Sequence, residues 1–399
     1  MSFVPLPAPI ACTLPPPHAV EPLLPVPSAA EREALLAEAQ ERRRALAEAG
    51  QVLNRVVYDS MVFVPAAADK VPGGALLFES RFESGNLFCA ARIGLRTYHL
   101  RLCTDYNTDG HTQWFYFQVH RPAGSRGDGG TPEGGGATEV AGAAADAAQA
   151  SGSGGCEPAD EKGREGDRGR EVGGDDLDED DFSFNIVNMY KPDSLYNYGL
   201  LPLVYSVQEG GGWLRKGTNV SYAKTEKQES EAAAEAMGGG AQGRRARGKP
   251  SYTLSFQLRI ARGDTIYVAH CYPYTYSNLQ EDLDEMETDR LRAKHVRRNR
   301  AFCHTRAGNP MDMLTVTDFG TPAASGQRPV VVISARVHPG ETNASWMMRG
   351  IIAFLTGSSD EAKALRQSFE FRIFPMLNPD GVINGNYRCN LAVSCISRV

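Results

Sequence analysis

The sequence predicts an N-terminal antiparallel β-sandwich followed by the opening part of an α/β domain with a parallel or mixed sheet. Two observations predict this. Between 51 and 273, short runs rich in valine and aromatic residues alternate with turn residues. From 277 onward, apolar residues recur at helical spacing or in strand-length blocks, in the order strand, helix, strand.

The strand candidates of the first part are VVYDSMVFV, ALLFES, NLFCAARI, TYHLRLC and TQWFYFQV, separated by Pro72, Gly73, Gly85, Asn86, Asn107 and Asp109. FSFNIVNMY, LLPLVYSV, VSYAK, YTLSFQLRI and DTIYVAHCYPY form a second group. Several can meet as hairpins, and so many short strands in succession favour a sandwich. Two blocks interrupt it. Residues 122–181 carry no aromatics and close on the acidic run DDLDEDD, and residues 226–248 pass into GGGAQGRRARG. Neither block can bury enough apolar surface to offset the entropy of ordering, so both read as disordered insertions.

In the second part, 277–294 places Leu279, Leu283, Met286 and Leu291 at helical spacing. MLTVTDF reads as a strand, and RPVVVISARV as a strand covered on both faces. NASWMMRGIIAFLTG reads as a helix closed by Gly357, and FEFRIFPML as a further strand. Before both parts lies a proline-rich leader within 1–50, ending in the alanine-, leucine- and glutamate-rich stretch 31–51, which favours a helix.

Composition narrows function. The chain has 399 residues, enough for two domains, and 48 acidic against 42 basic side chains. A formal charge of −6 leaves no footprint for a nucleic acid or a membrane surface. Eight cysteines without a CxxC pair read as reduced cytosolic thiols, and no apolar stretch approaches the roughly 20 residues of a bilayer helix. The start lacks the basic region of a secretory signal.

The chemistry concentrates at HPGE. His338 and Glu341 follow the strand that ends in ARV and precede the helix, where open α/β sheets place their sites. A spacing of three lets an imidazole and a carboxylate turn toward one point, and both suit Zn²⁺. Pro339 and Gly340 leave little bulk between them. HxxE alone is a weak signal. The structural alternative is a locally bonded His338 with Glu341 capping the helix.

The surroundings are more specific. VVVISARVHPGETNASWMMRGIIAFLTG and FRIFPMLNPDGVINGNYRCNLA resemble consecutive segments of the M14 zinc metallocarboxypeptidases, in particular the cytosolic carboxypeptidase (protein deglutamylase) subfamily. HTQWFYFQV, FNIVNMYKPDSLYNYGLLPLVYSV, GGWLRKGTNVSYA and FCHTRAGNPMDMLTVTD resemble its β-sandwich domain and the junction that follows. The resemblance runs over about 56–392 outside the two insertions, and implies three parts: 1–50, a sandwich over 51–273, and a carboxypeptidase domain from 274. It implies that His338 and Glu341 are the first two zinc ligands and that Arg388 is the catalytic arginine that stabilises the oxyanion. Asn378, Pro379, Asp380 and Gly381 would shape the site, and Asn386 and Tyr387 would neighbour the substrate cleft.

Beyond CNLA the resemblance stops. The family continues near GxDLNRxW, whereas residues 393–399 read VSCISRV, and Arg398 takes no carboxylate-binding role. No histidine follows His338 to act as third ligand, and the general-base glutamate has no counterpart. The expectation is an incomplete domain, inactive by itself. The resemblance implies a Zn²⁺-dependent, cytoplasmic and microtubule-associated enzyme that removes C-terminal or side-chain glutamates from protein tails, with tubulin the usual substrate. The alternative is a non-catalytic regulatory form that binds a partner through the sandwich.

Overall fold

The computed structural model describes residues 55–61, 75–123, 181–225, 250–322 and 327–392, with part of 28–41. The leader, most of the 31–51 helix, all but the margins of 122–181, the 226–248 block and residues 393–399 lie outside the described residues. The described residues from Ala29 to Glu41 are helical, and Ser28 and Glu31 bond reciprocally to each other's backbone at the start.

The first part forms two sheets. One has six described strands: β1 (Arg55–Asp59), β3 (Leu87–Arg92), β4 (Thr97–Leu102), β6 (Asp181–Met189), β10 (Tyr252–Arg259) and β9 (Thr218–Lys224), in that spatial order. The other has five: β2 (Leu77–Glu79), β5 (Tyr116–His120), β11 (Thr265–Ala269), β7 (Leu203–Ser206) and β8 (Leu214–Arg215). Pairing is antiparallel throughout except that β4 runs parallel to β6, so the first sheet is mixed where the sequence suggested antiparallel pairing alone. The reason is connectivity: β4 and β6 are separated by β5 and the 122–181 block, a crossover long enough to bring the chain back in the same direction.

Alternation along these strands aims one side-chain set of each sheet at a shared core. Tyr98, Leu100, Phe184 and Leu254 come from the first sheet, and Phe115, Phe117 and Val268 lie in or beside the second; all are fully buried. Each such side chain contributes about 1.5–3 kcal/mol relative to exposure. A smaller aromatic cluster holds Phe82, Trp114, Tyr116 and Trp213, and the ring of Tyr387 packs against it.

The second part is a four-stranded mixed sheet among the described residues. Its order is β12 (Val296–His304), β13 (Pro310–Val316), β15 (Glu370–Phe374), β14 (Val330–Ser334), with only the β14–β15 pair parallel. Helices α1 (Tyr276–Thr288), α2 (Thr342–Thr356), α3 (Asp360–Ser368) and α4 (Pro379–Ile383) accompany it. Leu279, Leu283 and Met286 of α1 pack with Met348, Ile352 and Leu355 of α2 and with Leu314, Phe371 and Ile373 of the sheet.

Two local expectations change. The 277–294 helix stops at Thr288, because the Asp289 carboxylate accepts from the amides of Leu291 and Arg292 and turns the chain, leaving Leu291 69% exposed. β14 is not covered on both faces: Val331 and Ile333 pack on the core, whereas Val330 and Val332 point outward and are 56% and 65% exposed. No described element lies over that outer face. The NPDG turn opens a short helix, with the Asn378 side chain accepting from the Gly381 amide and Pro379 in the first turn.

Candidate metal and arginine site

Arg336 begins the site. It follows β14 with φ of 54°, a left-handed conformation that costs a non-glycine residue free energy and turns the chain sharply out of the sheet. Its guanidinium is buried and donates to the carbonyls of Pro339 and Tyr274 and to Ser345 Oγ, at 2.8–2.9 Å. Burial pushes Arg336 down to about 9, so it remains charged at neutral pH. This side chain ties the HPGE turn to the first turn of α2. Sequence reasoning missed it, because an arginine after a strand looks like a surface residue.

Within the turn, His338 Nδ1 and Glu341 Oε1 lie 2.9 Å apart, with side chains 13% and 49% exposed. Glu341 occupies the position before α2 but makes no side-chain capping bond. Glu341 therefore does not cap α2, whereas the local bond that the structural alternative gives His338 is present, with the Glu341 carboxylate as its partner. Two zinc bonds of about 2.1 Å at a tetrahedral angle hold their donors about 3.4 Å apart. The observed pair stands at direct hydrogen-bonding distance, about 0.5 Å closer than that, so the two side chains are of the type zinc takes and would open slightly to hold it. Among the described residues no group of three or more His, Cys, Asp and Glu side chains converges to hold a metal.

The loop after α4 docks on the same turn. The Gly340 amide donates to the Tyr387 carbonyl at 2.8 Å, and a Cβ on Gly340 would stand 2.5 Å from Tyr387 Cδ2. Likewise a Cβ on Gly381 would stand 2.4 Å from Pro339 Cγ. These two glycines let HPGE, NPDG and GNYRC close on one another. Desolvation raises the Tyr387 phenol above its usual range, and the nearby Glu341 charge adds to the rise. Arg388 follows, half-buried, and its guanidinium makes no hydrogen bond or ion pair among the described residues. The structure thus brings His338, Glu341, Tyr387 and the backbone of Arg388 into one neighbourhood.

Asn386 is taken up by its own loop. It is 4% exposed, its Nδ2 donates to the Cys389 carbonyl at 2.7 Å, and its Oδ1 accepts from the Tyr106 amide at 3.3 Å. Both ends of its amide hold the loop together, so the side chain is not presented to a cleft. Asp380 is also structural: its carboxylate accepts from Thr305 Oγ1, Asn309 Nδ2 and the Ala307 amide.

The zinc carboxypeptidase family, Peptidase_M14, matches residues 279–396. Through this segment the chain belongs to the zinc carboxypeptidases. Cytosolic carboxypeptidase 2 of Xenopus tropicalis is 37% identical over 329 residues, covering 81% of this chain and 27% of that protein. Cytosolic carboxypeptidase 1 of Mus musculus is 35% identical over 362 residues, covering 87% of this chain and 24% of that protein. The chain therefore spans about a quarter of the length of these relatives. A metallo-carboxypeptidase from Burkholderia cenocepacia shares the fold with a TM-score of 0.50 at 20% identity, covering 81% of this chain and 62% of that one.

Proposed function

We propose that this protein is a zinc-dependent metallocarboxypeptidase that removes C-terminal or side-chain glutamates from protein tails such as those of tubulin, with these 399 residues inactive by themselves. One observation carries the proposal: the imidazole of His338 and the carboxylate of Glu341 face each other, and the loop bearing Arg388 is docked on the turn between them. The relatives' names support the carboxypeptidase class and a cytosolic setting. Glutamate specificity, the tubulin substrate and microtubule association belong to this proposal, as do the reading of 51–273 as a β-sandwich domain and of 274–399 as part of the catalytic domain.

His338 and Glu341 would hold Zn²⁺, which when bound supplies Lewis-acid polarisation of the scissile carbonyl and a more acidic water. Arg388, whose guanidinium makes no hydrogen bond or ion pair among the described residues, would donate hydrogen bonds to the oxygen on which negative charge grows. Arg336 would keep the turn fixed, and Tyr387 would exclude water from one side of it.

Zinc catalysis normally uses three protein ligands, and no histidine follows His338 within the 399 residues. The proposal is therefore that these residues alone bind zinc weakly and turn over little, and that hydrolysis needs this segment joined to a third donor. The test is release of free glutamate from a glutamate-tailed peptide by a polypeptide that continues this sequence to such a donor. Activity lost in His338→Ala supports the proposal. Activity unchanged by that substitution contradicts it.

A further inference from the structure

We infer that Asp105, on the turn between β4 and β5, is the positioning residue for Arg388: its carboxylate occupies the concavity formed by the amides of residues 387–389. Asp105 Oδ1 accepts from the Tyr387 amide at 2.5 Å, and Oδ2 accepts from the Arg388 and Cys389 amides at 2.7 Å each. Three successive N–H groups converging on one point make a nest of the kind that binds anions. Here the protein supplies the anion itself, from a position 282 residues earlier.

The carboxylate is 1% exposed, and its own turn is braced: the Asp105 amide donates to the Gly110 carbonyl, and Thr108 returns backbone and hydroxyl bonds to the Asp105 carbonyl. The neighbouring Tyr106 amide donates to Asn386 Oδ1, adding a fourth tie between the two loops. All of these bonds fix backbone. None engages the Arg388 guanidinium, which stays available to a ligand while its Cα is held. Charge-assisted bonds in a desolvated site are the strong kind, so the clamp is stiff where placement matters. The same loop carries Tyr387, whose carbonyl receives the Gly340 amide, so the clamp also sets the distance between the arginine and the HPGE turn.

The β-sheet part thereby acts on the reaction geometry, beyond any role in binding partners. The inference rests on the reading of Arg388 as the oxyanion-holding group. It is tested on the full 399-residue chain by amide NMR and hydrogen exchange. In Asp105→Asn, one face of the side chain becomes a donor opposed to donors, so the 387–389 amide protons should lose their downfield shifts and exchange at least tenfold faster. Strands β5 and β11 should keep native protection. Asp105→Glu, which restores a carboxylate, should recover part of the shift and protection. Native shifts and protection at 387–389 in Asp105→Asn would overturn the inference, as would loss of protection spread equally over the whole chain in both variants. Failure of the Arg388 reading has a separate signature: Arg388→Ala would leave glutamate release in the assay above unchanged, while the Asp105 effects on the loop remain.

Discussion

Gly340→Ala should separate the two halves of the site. The added Cβ would meet Tyr387 Cδ2 at 2.5 Å, its carbonyl oxygen at 3.0 Å and its Cα at 3.2 Å. A carbon–carbon contact is optimal near about 3.5–4.0 Å, so the ring contact is short by about 1 Å. The ring can swing, but the Tyr387 backbone is held by Asp105 and cannot retreat without breaking that clamp. Overpacking of this kind costs about 1–3 kcal/mol. Loss of the Gly340 to Tyr387 hydrogen bond adds about 0.5–1.5 kcal/mol. The expected total is about 2–4 kcal/mol, read as the fall in unfolding free energy in urea and as faster exchange of the Gly340 amide. Gly350→Ala is the control: nothing lies within 4 Å of the added atom in the middle of α2, so helix propensity should make it neutral or stabilising by up to about 1 kcal/mol. Equal stabilities for the two alanine variants would refute the reasoning that close approach at Gly340 joins the turn to the loop.

Three further outcomes follow from the same geometry. Burial pushes His270, whose Nδ1 lies 3.0 Å from Tyr196 Oη, down from 6.5 to about 4. The unfolded imidazole binds a proton first, so this residue's contribution is full above about pH 6.5 and is lost as pH falls toward 4; unfolding free energies of the protein should drop by up to about 3 kcal/mol across that window, and His270→Gln should remove that part of the slope. Asp380→Ala strips three acceptor bonds from the 305–309 turn and should cost about 2–3 kcal/mol, with faster amide exchange at Ala307; a loss below about 0.5 kcal/mol would contradict the bracing role. Arg336→Met leaves the Pro339 and Tyr274 carbonyls without their donor and should lower stability by about 3 kcal/mol, which urea unfolding measures.

What the sequence made legible was periodic or local. Alternating aromatics placed most strands, and the strand-to-helix junction placed His338 and Glu341. Hydropathy could not show that Val330 and Val332 face outward, because a block of valines is the same whether one face is covered or both. β12 escaped notice because VRRNRAFCH is charged, and its membership in the sheet comes from backbone pairing with β13 and from Arg298, whose guanidinium bonds Asp284, Glu287 and Asp312. The residues that hold the site were the least visible. Asp105 stands in TDYNTDG, which carries every mark of a surface turn, and its three partners lie across the fold. Asn386 was placed at the cleft by its neighbours in sequence, yet its amide serves the loop's own backbone. Contacts between residues far apart in the chain leave no local pattern.

The central claim is that His338 and Glu341 are donors to one zinc ion, and competition titration of Zn²⁺ against a calibrated chelator tests it most directly. Removing an outer partner of a metal ligand costs about 10–100-fold in affinity, so removing a ligand should cost at least that. His338→Ala and Glu341→Ala should each weaken zinc binding by tenfold or more, and the double variant should be little worse than the weaker single one. Zinc affinity unchanged in both single variants would contradict the account.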